Sequence, residues 1–233
     1  MSKRQELREK HKKQQKQQRL IIIIMVVVGA LLIASALILP SLQPVGTIAQ
    51  ITPRAITATV KMTSMGNTDA PVKVDVWEDF QCPGCKQYSQ QFETQIVTDY
   101  VETGKVFYTF HHYPFIDSQT TTKESHQAAN ASMCAAAQGR FWDYHDMLFA
   151  NWIGENVGAF SNKRLVAFAQ ALNLNMSDFK ACFNQNQYAT EIEKDYTDAN
   201  DKGVTGTPTI FVNGIQTSID VLFSTIDSAL SGK

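Results

Sequence analysis

The sequence predicts a mixed α/β domain carried behind one membrane-spanning helix. Three β-branched segments of alternating polarity predict strands at 72–77, 105–110 and 207–212. Between the last two, residues 120–202 have the composition and apolar spacing of helices. The predicted order is therefore βαβ, a helical block and then ββα, with a hairpin turn at Asn213-Gly214. The chain has 233 residues, of which 44% are apolar, so it can bury a core and is not a disordered protein.

Residues 20–39 carry no charge and predict a transmembrane helix, since a helix of this length spans about 30 Å. Basic residues are concentrated before it: residues 1–19 hold eight of the 21 Lys and Arg, and none follows until Arg54. The positive-inside rule then predicts a cytoplasmic basic tail over 1–19, a single-pass signal anchor in the cell membrane, and an extracytoplasmic remainder. The tail is interpreted as a topology signal with affinity for membrane lipid. No nucleic-acid partner is expected.

Cleavage of the apolar segment is the alternative, because residues 34–36 resemble a small-residue cleavage site. The long charged tail and the continued apolar residues 37–39 favour a retained anchor. Residues 40–69 contain three prolines and few charges, which predicts an extracytoplasmic linker, although 56–60 alternates like an edge strand. The folded domain is expected over 70–233.

Cys82 and Cys85 form a single C-x-x-C motif where a predicted strand meets a predicted helix. No second C-x-x-C or His pair completes a zinc site, so neither a metal nor a cofactor is expected beyond this cysteine pair. A disulfide across so short a loop stabilises a fold little, which favours a redox role. The start of a helix lowers the pKa of a thiol, so Cys82 is predicted to be the nucleophile and Cys85 the buried resolving thiol.

Three motifs occur in a fixed order along the domain: DFQCPGC at 79–85, FWDYH at 141–145 and GVTGTPT at 203–209. Together they resemble the DsbA-like thiol:disulfide oxidoreductases. The resemblance covers 70–233 and implies a thioredoxin-like fold with an inserted α-helical domain at about 118–202. It also implies that Pro208 is a cis-proline packed against the active-site disulfide, and that Thr207 contacts substrate through its backbone.

The chain departs from this family at three points. The dipeptide between the cysteines is Pro-Gly, whereas the most oxidising relatives have Pro-His, so a weaker oxidant is expected. Relatives often carry a buried acid six residues before the first cysteine, where this chain has Val76. Thr207, before the cis-proline, also occurs in some isomerases, which keeps isomerisation open. Three nearby acids are alternatives for the missing one, and the sequence does not choose among them: Asp75, Glu78 and Asp79.

Cys134 and Cys182 lie 48 positions apart in the helical block. In an oxidising compartment they are predicted to form a structural disulfide, as in some family members. The alternative is two small buried apolar residues. The histidines lack partners at metal-ligand spacing and are interpreted as packing or surface residues: His111, His112, His126 and His145.

The resemblance implies an extracytoplasmic enzyme that donates the Cys82–Cys85 disulfide to unfolded or reduced exported proteins. Its reoxidation would come from a quinone-linked membrane oxidase of the DsbB or vitamin K epoxide reductase-like type. One alternative is a reductase or isomerase that uses the same cysteines. Another is a tethered, non-catalytic binding module or holdase, in which Cys82–Cys85 is only a staple.

Overall fold

The computed structural model describes residues 3–42 and 45–232, which form two compact units that divide after Gly46. The first unit consists of helix α1 (Lys3–Leu42). Its segment Lys12–Ala36 has a mean hydropathy of 2.7 and, among the described residues, is the helix long and apolar enough to cross a membrane. Its length and composition are compatible with a single-pass anchor. Residues 1 and 2 of the predicted tail lie outside the described residues.

The second unit contains one six-stranded sheet with the strand order β1-β2-β4-β3-β5-β6. Strands β3 and β4 are parallel, and every other neighbouring pair is antiparallel. Inward-facing Val72, Val74 and Val76 are fully buried, as the alternation of a strand requires. The strands are β1 (Val60–Lys61), β2 (Ser64–Met65), β3 (Val72–Glu78), β4 (Val106–His112), β5 (Thr209–Val212) and β6 (Ile215–Thr217).

Helices connect the parallel strands and form the insertion between β4 and β5. The first connection runs without a break from α2 (Pro83–Tyr88) through a π-helical turn (Ser89–Glu93), α3 (Thr94–Ile96) and a second π-helical turn (Val97–Val101). The insertion begins with a 3₁₀ turn (Phe115–Gln119), and the chain ends with a 3₁₀ turn (Ile219–Val221) and a helix. The remaining helices are α4 (Glu124–Ala136), α5 (Phe141–Ala150), α6 (Asn162–Ala171), α7 (Met176–Asn184), α8 (Ala189–Asp201) and α9 (Leu222–Leu230).

The folded unit begins at Thr47, not at residue 70, so the linker predicted over 40–69 is wrong from Thr47 onward. Ile48, Ile51 and Ile56 pack against the core, and strands β1 and β2 form one edge of the sheet. The prolines and the low charge suggested a spacer. The spaced isoleucines, however, bury apolar surface against the core and so keep the segment packed on the domain. Positions 43 and 44 of the predicted linker lie outside the described residues.

A half-buried ion-pair bridge joins the insertion to the face of the sheet that carries Asp75 and Trp77. His111 on β4 contacts Asp75 of β3 at 3.0 Å and Asp195 of α8 at 3.3 Å, and its ring stacks on Trp77 at 4.3 Å between centroids. Burial opposes the charged imidazole, but the hydrogen bonds to Asp195 and Asp75 outweigh it and raise the pKa of His111 to about 9. Helix α8 is therefore pinned to strands β3 and β4 at neutral pH.

Within the insertion, Cys134 of α4 and Cys182 of α7 form a disulfide with their Cα atoms 5.8 Å apart. Both cysteines are buried among the apolar side chains that separate these helices. The bond closes a loop of 48 residues in sequence separation.

Removal of this disulfide is expected to destabilise the domain. The double variant Cys134→Ala/Cys182→Ala should lose about 4 kcal/mol of unfolding free energy, since the closed loop restricts the unfolded chain. Guanidinium unfolding followed by circular dichroism measures the loss. Both proteins are compared in a Cys82→Ser/Cys85→Ser background, in which reductant should leave the unfolding curve of the Cys134→Ala/Cys182→Ala variant unchanged. An unfolding free energy equal to that of the oxidised parent would contradict the prediction.

Candidate active site

The C-x-x-C motif lies where β3 passes into α2. Cys82 is the residue that caps the helix, with an extended backbone (φ −72°, ψ 123°), and Pro83 follows in the first turn. The Cys82 N–H donates to the Asp79 carbonyl at 2.9 Å, which closes the turn after the strand. Pro83 is tolerated there because the first N–H groups of a helix have no intrahelical acceptor. Cys82 therefore sits where the helix presents unpaired N–H groups.

The two thiols are free and differ in burial: Cys82 is 7% exposed and Cys85 is fully buried. A hydrogen bond from the Cys85 thiol lowers the pKa of Cys82 to about 6 against the opposing effect of burial. Thr207 and the backbone N–H groups of Gly84 and Cys85 act in the same direction. Burial first, and then the hydrogen bond to Cys82, raise the pKa of Cys85 well above its usual value. At neutral pH the pair thus consists of a Cys82 thiolate and a Cys85 thiol.

The loop before β5 brings Thr207 and Pro208 against the cysteines, and the peptide bond between them is cis. Cys82 Sγ lies 3.2 Å from the Thr207 carbonyl oxygen, which accepts a hydrogen bond from Cys82 when that thiol is protonated. A Cβ atom at Gly84 would lie 3.3 Å from Pro208 Cδ, which is a tight contact, and 3.5 Å from Cys82 Sγ, which is an ordinary one, so glycine gives the proline ring its room. The structure therefore brings together the four residues that the sequence predicted for the site, while Cys134 and Cys182 lie in the insertion.

Asp79 organises the turn that precedes Cys82. Its buried carboxylate accepts hydrogen bonds from the Gln81 N–H at 2.8 Å, the Ile116 N–H at 3.1 Å and the Ser125 hydroxyl at 2.7 Å. Burial raises the pKa of Asp79 to about 7 in spite of these bonds. Because its oxygens already bind the turn and the insertion, Asp79 is a structural acid of the site.

Gln81, beside Cys82, is held by the loop that follows α5. Its side-chain carbonyl accepts from the Asn156 N–H at 2.7 Å, and its backbone carbonyl accepts from the Trp152 indole at 2.6 Å. These bonds shape a cavity of about 380 Å³ next to Cys82, lined by Cys82, Phe115, Ile116, Thr120, Glu155 and Asn156. The sequence analysis missed Gln81, Trp152 and Asn156, since nothing local in sequence signals contacts over more than 70 positions.

Glu78, the last residue of β3, is the acid that reaches the cysteines. It is 1% exposed, and its oxygens have no hydrogen-bond partner of ordinary geometry among the described residues. Burial and then the charges of Glu93 and Cys82 raise the pKa of Glu78 well above its usual range, while an interaction with the Cys85 thiol opposes this. Of the three acids left open by the sequence, Asp75 pairs with His111 and Asp79 holds the turn, so Glu78 is the one available to Cys85.

Glu78 belongs to a buried polar cluster below the cysteines. Glu93 Oε1 accepts a hydrogen bond from the Tyr108 hydroxyl at 3.1 Å and lies 3.7 Å from His145 Nε2. Glu93 Oε2 accepts from the Arg54 guanidinium at 2.5 Å. Glu78, Glu93 and His145 bring metal-ligating atoms within 4.8 Å of one another. Because Arg54 already supplies a fixed positive charge to Glu93, the cluster is better suited to hold protons than a metal ion. Sequence reasoning assigned His145 to packing and missed the cluster.

Comparison with known proteins identifies the family. The thioredoxin family model matches residues 58–231. This chain belongs to the thioredoxin family. The solved structure of oxidised BdbD from Bacillus subtilis superposes with a TM-score of 0.65 at 24% identity, over 80% of this chain and 100% of that one. The predicted α/β thioredoxin-like fold with a helical insertion is confirmed.

Two relatives differ in how much of their own length this chain covers. The protein named Na(+)/H(+) antiporter NhaA 1 from Salinispora arenicola is 31% identical over 171 residues, which cover 72% of this chain but 24% of that protein. The probable disulfide bond formation protein D of Bacillus anthracis is 26% identical over 171 residues, 72% of this chain and 77% of the relative. The chain thus spans about a quarter of the first relative and most of the second.

The reduced protein is expected to be alkylated at a single cysteine near neutral pH. The rate constant for iodoacetamide should rise through a midpoint at the Cys82 pKa of about 6, because only the thiolate reacts. Burial should keep Cys85 unlabelled over the same range. Quenching the alkylation at set times and mapping the peptides by mass spectrometry assigns the label to a cysteine. Cys82→Ala should abolish the rapid labelling. A midpoint near the ordinary thiol value of 9.0 would disprove the assignment.

Proposed function

We propose that this chain is a membrane-anchored thiol:disulfide oxidoreductase that donates its Cys82–Cys85 disulfide to reduced exported proteins. The observation that carries the proposal is the asymmetry of the pair: an accessible edge of Cys82 with a low pKa, above a buried Cys85 with a high pKa. A structural staple needs no such difference, whereas an exchange reaction needs one attackable sulfur and one leaving sulfur. The cysteine pair is itself the redox group.

The exchange proceeds through a mixed disulfide. A substrate thiolate attacks Cys82 Sγ, the Cys82–Cys85 bond breaks, and Cys85 leaves with the electron pair and takes a proton. A second substrate thiolate then attacks the substrate sulfur of the mixed disulfide, and Cys82 leaves as a thiolate. The substrate dithiol loses two electrons and two protons; one proton ends on Cys85 and the other reaches solvent.

Glu78 is the proton donor to the departing Cys85 thiolate in this proposal. Burial raises its pKa and so favours the protonated carboxyl, which can act as a general acid in a space that bulk water does not reach. In the reverse step, which re-forms the disulfide, the carboxylate of Glu78 accepts the Cys85 proton.

The low pKa of Cys82 supports disulfide donation over reduction. Stabilisation of the thiolate stabilises the reduced enzyme, which makes the oxidised enzyme a stronger donor. A Cys82 pKa of about 6 lies between roughly 3.5 for DsbA and roughly 7 for thioredoxin. An intermediate oxidising strength follows, in accord with the Pro-Gly dipeptide. The name of the Bacillus anthracis relative supports the same direction.

The proposed setting is the outer side of the cell membrane. Helix α1 carries basic residues at its start and an apolar span after them, which supports an N-terminus in the cytoplasm, contact with membrane lipid and an extracytoplasmic domain. A quinone-linked membrane oxidase of the DsbB or vitamin K epoxide reductase-like type would then restore the disulfide. The protein acts on other polypeptides, not on nucleic acid.

The reduction potential of the Cys82/Cys85 pair tests the direction of exchange. The full chain in detergent, equilibrated with glutathione and read by site-mapped alkylation, should give a value between about −120 and −180 mV. A value near −270 mV would favour the reductase. Failure of Cys82–Cys85 to be reduced in the native state would favour the binding module, as would full activity of Cys82→Ser in the oxidative refolding of a reduced exported protein.

Substitution of Glu78 tests the proton donor. Glu78→Gln should slow cleavage of the Cys82–Cys85 disulfide by a small thiol roughly tenfold or more at pH 7, because an amide cannot supply the proton to Cys85. In the parent the rate constant per attacking thiolate should fall as pH rises and Glu78 loses its proton, and this fall should vanish in the variant. Asp75→Asn is the matched control on the same strand and should keep the parent rate. Equal rates for Glu78→Gln and parent would refute the role.

A further inference from the structure

The loop that follows α5, residues 151–160, presents three exposed side chains beside the cavity at Cys82, and we call it the rim loop. Exposure alternates along its first half: Ile153, Glu155 and Val157 are exposed, whereas the residues between them are half-buried. Ile153 is 62% exposed and Val157 is 59% exposed, although both are apolar. The rim loop therefore offers to solvent one acidic side chain between two apolar ones.

The rim loop is attached to the domain on both sides of Glu155. Its first half is held by Gln81, the residue before Cys82, through the hydrogen bonds described above. Its end is held by the buried Glu124 of α4, whose two carboxylate oxygens accept from the Gly158 N–H at 2.9 Å and from the Phe160 N–H at 2.8 Å. Glu155 lies between these attachments, so the backbone that carries it is fixed next to the nucleophile.

Glu155 gives the cavity its charge. The cavity of about 380 Å³ next to Cys82 is lined by apolar Phe115 and Ile116 and by neutral polar residues, and Glu155 is the one charged side chain among the described residues that line it. The Glu155 carboxylate forms no hydrogen bond or ion pair with any residue that the structure describes. Its charge is therefore available to a group that enters the cavity from outside the chain.

The charges around the rim loop favour a basic partner. Lys86 of α2 is near, but its Nζ atom lies 5.0 Å from the centre of the Trp152 ring, so the ammonium group is held on the indole. Residues 20–233 carry 13 basic and 20 acidic side chains, so the chain beyond the basic tail is negative as a whole. A positively charged polypeptide is thus attracted by the domain in general and by Glu155 at the cavity itself.

We propose that Glu155 is a specificity-determining residue, which favours reduced polypeptides that carry lysine or arginine next to the cysteine that attacks Cys82. This inference rests on the proposed exchange at Cys82 and Cys85 and names the class of substrate. The attacking sulfur has to reach Cys82 Sγ, so the residues that flank it lie over the cavity and the rim loop. A basic neighbour pairs there with Glu155, while apolar residues of the same segment contact Ile153 and Val157.

Two synthetic dithiol peptides test the proposal. Both contain leucine and two cysteines, and they differ only in the residues that flank the first cysteine, which are lysines in the basic peptide and glutamates in the acidic one. The oxidised full chain in non-ionic detergent is mixed with an excess of each peptide. Acid quenching and site-mapped alkylation then give the rate constant for opening of the Cys82–Cys85 disulfide. The ratio of the basic to the acidic rate constant is the charge preference.

The charge preference should depend on residue 155. Glu155→Gln should lower it about threefold and Glu155→Lys about tenfold relative to the parent at low ionic strength, since one exposed ion pair changes a free energy modestly and reversal doubles the change. The same two peptides are used throughout, so their own thiol reactivities cancel. The differences should shrink as salt is added.

Two further variants separate a local from a general effect. Glu193→Lys makes the same change of net charge at an exposed position of α8 that does not line the cavity, and it should move the charge preference much less than Glu155→Lys. Ile153→Ser/Val157→Ser should slow both peptides by the same factor and leave the charge preference unchanged, because it removes only apolar contact area.

The outcomes are distinct. An equal charge preference in the parent, Glu155→Gln and Glu155→Lys would overturn the proposal, and so would a Glu193→Lys effect as large as that of Glu155→Lys. Unchanged rates in Ile153→Ser/Val157→Ser would overturn the placement of the substrate over the rim loop. All of these positions are exposed, and equal melting temperatures confirm that the variants fold. Failure of the proposed function would show differently, because the parent would then exchange its disulfide with neither peptide nor with glutathione.

Discussion

Burial of Cys85 directly behind a shallow Cys82 is the constraint on which the rest of the site depends. A thiolate is costly in the apolar interior, so negative charge collects on Cys82, where the start of α2 supplies N–H groups. The same burial cuts Cys85 off from water, and any proton it gains or loses has to come from a group inside the protein. The buried position of Cys85 therefore requires an acid inside the protein that can exchange protons with it.

Supplying that acid forces further polar groups into the core. Glu78 lies near Glu93, Glu93 is met by Arg54, and Arg54 is shared with Asp146 of the insertion. Each added group offsets the free-energy cost of burying the group before it, because a buried charge is tolerated only when it is paired. Residues 47–59, the insertion and the thioredoxin-like core are thus joined by a series of ion pairs as well as by apolar packing.

The sequence predicted the features that are encoded locally. Neighbouring residues are enough to predict the uncharged apolar run of α1 and the order of the main strands and helices. They are also enough to place the cysteine pair at the start of a helix. The convergence of Arg54 with Glu93 and Asp146 could not be predicted, since these residues are 39 and 92 positions apart from Arg54 and meet only in the folded chain. Residues 47–59 were misread as a linker for a related reason. Most of this segment has no regular structure and so no clear periodicity, and its isoleucines are informative only when the core that they contact is known.

The position of the buried acid did have a local signal that the sequence analysis left unused. Side chains two residues apart in a strand point to the same face, so Val76, where relatives often carry their acid, and Glu78 share the inner face of β3. Asp75 and Trp77 point the other way, and the stacking of His111 on Trp77 shows that face to be occupied. A shift of two residues moves the carboxyl about 6.6 Å along the strand toward α2 without changing the face. The alternation of side chains along the strand therefore excludes Asp75 as the acid that faces Cys85. Asp79 is excluded because the strand ends at Glu78 and Asp79 lies in the turn that follows. Glu78 is the one nearby acid that keeps the required direction while approaching Cys85 from the end of the strand.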